Sequence, residues 1–147
     1  MRRAAGALLV AGLLLIGGCA TKRSAPNCRP PRLVPGYLPN GLHRTNATSL
    51  VPSGWSATWK DETRTVQVAG DVDANLGDGP EIKTATVRGQ RAGYGPTGNP
   101  AGPLAVEWTE ASECRGVQYA VIVKGLPTTE MLKIANGLRP GYLPPRR

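Results

Sequence analysis

The stretch "LAVEWTEASECRGVQYAVIVKG" (residues 104–125) carries the strongest structural signal in this chain of 147 residues. Its two ends, "LAVEWT" (104–109) and "VQYAVIVKG" (117–125), are rich in β-branched and aromatic residues, which favour strands. The connector "EASECRG" (110–116) is mostly polar and ends in glycine. These residues predict two antiparallel strands joined by a turn.

The segment directly after these strands, "PTTEMLKIANGL" (127–138), changes the hydrophobic period from two to that of a helix. Pro127 suits the start of a helix, and Gly137 suits its end. Its apolar residues fall on one helical face: Met131, Leu132, Ile134, Ala135 and Leu138. A single helix is therefore predicted at the carboxy-terminal end.

Further strands are predicted upstream, and the glycine- and proline-rich stretches between them are predicted as loops. The additional strands are "GWSATWK" (54–60), "TRTVQV" (63–68) and "EIKTATVRG" (81–89). The predicted loops are "DVDANLGDGP" (71–80) and "QRAGYGPTGNPAGP" (90–103). About five strands before one late helix predict an α+β fold, a curved antiparallel sheet with the helix packed on it.

The amino terminus has the pattern of an export signal. Two arginines precede residues 4–20, which carry no charge, and the apolar run is shorter than the ~20 residues of a membrane-spanning helix. Ile16-Gly17-Gly18-Cys19 resembles the lipobox of bacterial lipoproteins. The resemblance implies cleavage before Cys19, a lipid such as palmitate on Cys19, and a chain held on the extracytoplasmic face of the cell membrane. An uncleaved membrane anchor and a plain secretory signal are the alternatives.

These segments predict four regions along the chain. The predicted regions are a lipoprotein signal peptide (1–18), a flexible basic tether (19–34), a single α+β domain (35–138) and a basic proline-rich tail (139–147). About 130 residues beyond the signal are enough for one domain with its own core.

The formal net charge of +8 is concentrated at the two ends of the chain. Residues 22–44 contain five basic residues and no acidic one, and the tail adds Arg139, Arg146 and Arg147. Such ends are attracted to anionic lipid headgroups, or they serve only as solvated linkers. Nucleic acid is not expected as a partner, because no basic stripe with interleaved aromatic residues is present.

Once Cys19 is acylated, Cys28 and Cys114 are the remaining cysteines. An even pair in an oxidising compartment predicts a disulfide between them, with two free thiols as the alternative.

The sequence offers one weak metal candidate and no catalytic constellation. Oxygen ligands at alternate positions suit calcium, but Leu76 and Ile82 stand where an EF-hand requires glycine and glutamate. The same residue types are also common in hairpin loops. The candidate ligands are Asp71, Asp73, Asn75 and Asp78.

Catalysis is not predicted, because a hydrolase needs a nucleophile, a base and an orienting group. His43 is the sole histidine, and no serine lies in a nucleophile motif. Glu107, Glu110 and Glu113 form no recognisable acid pair. We therefore expect no enzyme, no metal and no cofactor.

The order of several motifs resembles a family of uncharacterised extracytoplasmic bacterial domains. The motifs are "YLPNG" (37–41), "VRGQRA" (87–92), "LAVEW" (104–108), "YAVIVKGL" (119–126) and "TEMLKIANGL" (129–138). The family's fold is thought similar to periplasmic regulators of envelope-stress sigma factors and to lipoprotein carriers, which implies a half-open sheet backed by a helix and used for binding. The matching positions are Tyr37, Leu38, Pro39, Gly89, Trp108, Tyr119, Ile134 and Ala135.

Two functions are consistent with this sequence. The first is a membrane-tethered, non-enzymatic binding or sensory module for another envelope protein. The alternative is a carrier or sensor of a hydrophobic ligand such as an acyl chain, in a cavity formed where Ala105, Ala120 and Ala135 face each other across the core. A filled core favours the first function, and a lined apolar pocket favours the second.

Overall fold

The computed structural model describes residues 31–45, 54–71, 74–77, 79–98, 102–112 and 116–142. Within these ranges the chain forms nine strands and a single helix. The strands are β1 (Leu33–Pro35), β2 (His43–Arg44), β3 (Trp55–Lys60), β4 (Thr65–Gly70), β5 (Lys83–Val87), β6 (Gln90–Pro96), β7 (Leu104–Ala111), β8 (Gly116–Lys124) and β9 (Leu138–Pro140). The helix α1 is Thr128–Asn136.

The strands form a seven-stranded antiparallel sheet in the order β2-β3-β4-β8-β7-β6-β5 and a two-stranded ribbon of β1 and β9. The prediction of an α+β fold with a sheet of about five strands is wrong, because the described part of the chain is mostly β and has two sheets. The five segments predicted as strands contain β3, β4, β5, β7 and β8.

The strands missed from the sequence have compositions that normally indicate loops. β6 contains Gly93 and Gly95 and lies in the stretch predicted as a loop. A Cβ atom at Gly95 would lie 2.6 Å from Cδ1 of Ile82, so this glycine permits close packing rather than a turn. β1 and β9 have three residues each and both end in proline. Such short strands lack a detectable period, and their pairing joins residues more than 100 positions apart.

One face of the large sheet, here called the helix face, carries the main core. β8 alternates strictly, and its buried residues Val117, Tyr119, Val121 and Val123 point to this face. α1 contacts β5, β7 and β8 and buries Met131, Ile134 and Ala135 in the same core. The ribbon adds Leu33 and Leu138, which are 1% and 2% exposed. The inward side chains of the strands and of the helix therefore pack together in one continuous apolar layer.

The opposite face, here called the crossing face, is crossed by residues 71–82, the crossing segment. Because β4 and β5 are separated by β8, β7 and β6 in the sheet, this connection passes over those three strands. Ala74 packs there on Ala105 and Ala120, both fully buried. The carboxylate of Glu107 fixes the segment, since Oε2 accepts hydrogen bonds from the Ala74 N–H (3.2 Å) and from Gln118 Nε2 (3.2 Å).

No segment of the described ranges forms a helix that is long enough and apolar enough to cross a membrane.

Candidate functional site

The outer edge of β5 is the candidate functional site. β5 is the last strand of the large sheet and is joined to β6 by Arg88 and Gly89, whose φ angles are 50° and 78°. Positive φ at both positions is the signature of a two-residue type I′ hairpin. In such a hairpin Val87 and Gln90 exchange hydrogen bonds, and every second pair does the same. The backbone groups of Thr84 and Thr86 therefore point outward.

These outward groups are mostly unpaired. Asn136 Nδ2 lies 3.5 Å from the Thr86 carbonyl oxygen, which confirms the outward direction and covers one end of the edge. Within the described part of the chain, the Thr86 N–H and both backbone groups of Thr84 have no hydrogen-bonding partner. The side chains of both threonines are exposed, and so is that of Lys83. An extended backbone can pair with such an edge without any rearrangement of the sheet.

A polar cleft of ≈ 320 Å³ borders this edge on the crossing face. Thr84 pairs with Gly93 and Thr86 with Arg91, so the threonine side chains stand beside the cleft. The guanidinium of Arg91 is exposed and forms no ion pair with another described residue. The cleft is lined by Gln90, Arg91, Gly93, Glu107, Trp108, Thr109 and Gln118. The edge thus offers backbone pairing, and the cleft offers polar contacts to side chains.

The entry motif of the resembled family is attached to the helix. The Tyr37 hydroxyl donates to Glu130 Oε2 at 2.7 Å, and Lys133 Nζ lies 3.9 Å from the centre of the Tyr37 ring. Leu38 packs against the core, and Pro39 is half-buried. Tyr37 therefore holds α1 in place, with its hydroxyl and its ring both in contact with the helix.

The β5–β6 hairpin is tied to the sheet and to the end of the helix through Arg88. Arg88 Nε donates to Glu110 Oε1 at 2.5 Å, its guanidinium also donates to the Leu138 carbonyl oxygen, and its N–H donates to Asn136 Oδ1 at 3.0 Å. Glu110 Oε1 also accepts the indole N–H of Trp108 at 2.9 Å. Burial alone raises the pKa of Glu110, but the hydrogen bonds from Arg88 and Trp108 outweigh it and lower the pKa below its usual range.

Aromatic side chains form a row across the helix face. The Tyr119 ring stacks on Trp108 with centres 5.9 Å apart and meets Trp55 edge-on at 6.4 Å. Its hydroxyl donates to the Pro31 carbonyl oxygen at 2.8 Å. Burial, followed by the negative charges of Glu110 and Asp71, raises the pKa of Tyr119. These rings, together with buried Ile134 and Ala135 of α1, belong to the core rather than to a ligand platform.

The alanines expected to face each other across the core do not do so. Ala105 and Ala120 lie on the crossing face beneath Ala74, whereas Ala135 lies on the helix face. Between α1 and the sheet the space is filled by side chains that are 0–1% exposed, among them Val106 and Val121.

The candidate acids and the sole histidine are dispersed. Glu107 and Glu110 are three positions apart on β7 and therefore point to opposite faces. His43 is exposed on edge strand β2, where it pairs with Lys60. No group of three or more His, Cys, Asp or Glu residues that could hold a metal occurs in the described ranges.

Part of the candidate calcium set and all cysteines lie outside the described residues. Asp71 and Asn75 have φ angles of 59° and 55°, a conformation in which aspartate and asparagine are enriched. The candidate residues that lie outside the described ranges are Asp73, Asp78, Glu113, Cys19, Cys28 and Cys114.

Sequence reasoning missed Thr84, Thr86 and Arg91 as candidate binding residues. Nothing local marks β5 as an edge, because its position depends on the crossing of β4 to β5 over three strands. The hairpin at "VRGQ" (87–90) is a local signal that pairs β5 with β6, but it does not show whether another strand lies on the other side of β5.

No protein-family model matches the sequence, and no curated protein matches it. Among solved structures, the complex of Pseudomonas aeruginosa MucA and MucB is similar with a TM-score of 0.44 and 16% sequence identity. The alignment covers 76% of this chain and 35% of that one, so the chain spans about a third of the neighbour's length. A likeness at this level establishes neither a shared fold nor a shared function.

Proposed function

We propose that this protein is a membrane-tethered, non-enzymatic binding module on the extracytoplasmic face of a bacterial cell. Its partner is another envelope protein that pairs an extended segment with the edge of β5. The lipobox-like Ile16-Gly17-Gly18-Cys19 supports the location and the tether. The open edge supports the mode of binding.

The unpaired N–H of Thr86 and the two unpaired backbone groups of Thr84 are the observation on which the proposal depends. Strand addition obtains its affinity from main-chain hydrogen bonds and its specificity from side-chain contacts on the two faces of the sheet. On the crossing face, the added strand places its side chains beside Thr84, Thr86 and the cleft at Arg91. Lys83 leads the strand, which favours an acidic residue in the partner near that end.

Packing does not favour the alternative of an acyl-chain carrier. Such a carrier requires a lined apolar space, and the buried side chains between α1 and the sheet fill the place where it would be expected.

Substitution of Thr84 by proline tests the proposal directly. The Thr84 N–H points away from β6, so Thr84→Pro removes an outward donor without removing a bond within the sheet. A photo-reactive amino acid at Thr86 in cells is expected to yield one discrete protein adduct. Thr84→Pro should abolish that adduct, whereas Thr84→Ala, which retains the N–H, should leave it in place.

The same photo-reactive residue at exposed Lys124, which ends β8 and is separated from β5 by β7 and β6, provides the control position. A protein adduct at Thr86 that persists in the Thr84→Pro variant, or equal labelling from Lys124, would contradict strand addition at β5.

A further inference from the structure

The ribbon of β1 and β9 brings the two ends of the chain together. Leu33 pairs with Pro140 and Val34 with Arg139, in antiparallel register. The Gly141 N–H donates to the Arg32 carbonyl oxygen at 3.1 Å, so these two segments of the chain remain side by side just beyond the strands. The segments leading in at Arg32 and out at Tyr142 therefore leave the fold at the same place.

The outward side of this ribbon is basic. Leu33 points into the core, so by alternation Arg32 and Val34 lie on the outer side, and Arg139 pairs with Val34 there. Arg32 and Arg139 are both exposed. A Cβ atom at Gly141 would lie 2.5 Å from Cγ2 of Val34, so glycine at this position lets the Val34 side chain pack against the opposite strand.

The sequence on either side of the ribbon is also basic. Lys22, Arg23 and Arg29 precede the ribbon, and Arg146 and Arg147 follow it. All ten acidic residues of the chain lie between Asp61 and Glu130, so neither end carries one. Because β1 pairs with β9, Arg32 and Arg139 lie on one basic surface although they are far apart in the sequence.

An exposed aromatic ring completes this surface. Tyr142 is 76% exposed and directly follows Gly141 at the end of the ribbon. Tyrosine has an apolar ring and a polar tip, which suits the boundary between lipid headgroups and acyl chains.

We infer that this ribbon end, formed by Arg32, Arg139 and Tyr142, is a docking surface for an anionic phospholipid bilayer. The surface lies close in sequence to Cys19, so a lipid on that cysteine would bring it to the membrane. Docking there turns the ribbon toward the bilayer. The crossing face, on the opposite side of the sheet from the ribbon and α1, then remains accessible.

Vesicle binding by the chain lacking residues 1–19 tests the inference, because all the deleted residues lie outside the described fold and no lipid anchor remains. We expect binding to vesicles of phosphatidylcholine mixed with phosphatidylglycerol, and little binding to phosphatidylcholine alone. Each basic residue at a membrane surface is worth about fivefold in partitioning. Arg32→Gln with Arg139→Gln should therefore weaken binding about 25-fold at low ionic strength and less at higher salt.

The matched control is Lys60→Gln with Lys124→Gln, which removes the same charge from exposed positions on the crossing face. This control should bind within about twofold of the parent if the ribbon end makes the contact. Equal loss in both double variants would overturn the inference in favour of net charge alone. Equal affinity for a soluble polyanion such as double-stranded DNA would also overturn it, in favour of a general polyanion surface.

Discussion

At the scale of single residues, Gly70 determines how the aromatic row on the helix face is built. Trp55 on β3 pairs with Gly70 on β4, and its ring lies over that glycine to reach Tyr119 on β8. A Cβ atom at position 70 would lie 2.6 Å from Trp55 Nε1 and 2.8 Å from Cε2. The glycine is thus required by the close approach of a ring.

Gly70→Ala is expected to destabilise the protein by about 1–3 kcal/mol, the usual cost of overpacking a well-filled core. Chemical denaturation measures this loss. Gly93→Ala is the matched control, since its Cβ would meet nothing closer than 3.7 Å, and it should change the stability by less than about 0.5 kcal/mol. Trp55→Phe removes the clashing atoms, so an unchanged penalty for Gly70→Ala in that background would show that the indole is not the cause.

Asp61 stabilises the turn between β3 and β4 through its carboxylate. Its Oδ1 accepts the N–H groups of Thr63 (3.0 Å) and Arg64 (2.7 Å), and its Oδ2 forms an ion pair with Arg64. The side-chain hydrogen bond from Arg64 and then the backbone hydrogen bonds lower the pKa of Asp61 from 3.8 to about 2. Arg64 Nη2 also donates to the Asn40 carbonyl oxygen at 2.7 Å, so the turn is joined to the preceding segment.

A depressed folded-state pKa stabilises the protein at pH values above the unfolded pKa of 3.8, and this contribution is lost as the pH falls toward about 2. The difference in melting temperature between the parent and Asp61→Asn should therefore be constant above pH 4 and shrink between about pH 4 and 2. Thermal unfolding followed across this range measures it. A constant difference down to about pH 2 would mean that the carboxylate is not protonated on unfolding in this window.

At the scale of elements, Arg88 joins four parts of the molecule. It lies in the β5–β6 hairpin and bonds Glu110 of β7, Asn136 at the end of α1 and the Leu138 carbonyl oxygen of β9. Both partners of the Arg88–Glu110 ion pair have side chains that are 21% exposed, so the pair is better shielded than a surface salt bridge.

Arg88→Met is expected to cost about 1.5–3 kcal/mol, because it leaves the Glu110 carboxylate and the Leu138 carbonyl without their charged donor. The control is Arg91→Met in the same hairpin, whose guanidinium has no ion-pair partner among the described residues and should cost less than about 0.5 kcal/mol. Denaturation of Arg88→Met, Glu110→Gln and the double variant gives the coupling between the two side chains. Strictly additive losses would contradict the role of this ion pair.

The same elements show how far sequence reasoning reaches. β7, β8 and α1 are predicted from their own residues, because burial on one face imposes a period within a single segment. β6 is not predicted from its own residues. Its Gly93 and Gly95 lie against the crossing segment, and this contact cannot be read from the sequence of β6 itself. The candidate site is missed for a similar reason: whether β5 is an edge or an inner strand is decided by strand order, and strand order by a long crossing that periodicity does not reveal.

At the scale of the whole molecule, the ribbon closes the fold. It buries Leu33 and Leu138 against the sheet, while the Gly36 N–H donates to the Gly137 carbonyl oxygen at 2.9 Å. The ribbon therefore has two roles, one in stability and one in placing Arg32 and Arg139 on the same outward side. The two roles are separable, because the buried leucines point inward and the arginines point outward.

Truncation after Gly137 tests the stabilising role of the ribbon. This change removes β9, the burial of Leu138 and the carbonyl that accepts a hydrogen bond from Arg88. We expect a loss of at least about 2–5 kcal/mol, the range for deleting one buried leucine side chain. Truncation after Tyr142 is the control, since it retains every described residue and should leave the denaturation midpoint unchanged. If the shorter chain does not fold, Leu138→Ala in the full chain provides the same measurement, with a loss in the same range. Equal midpoints for the control and for either of these variants would mean that the ribbon does not stabilise the sheet, and that the chain ends are joined without contributing to folding.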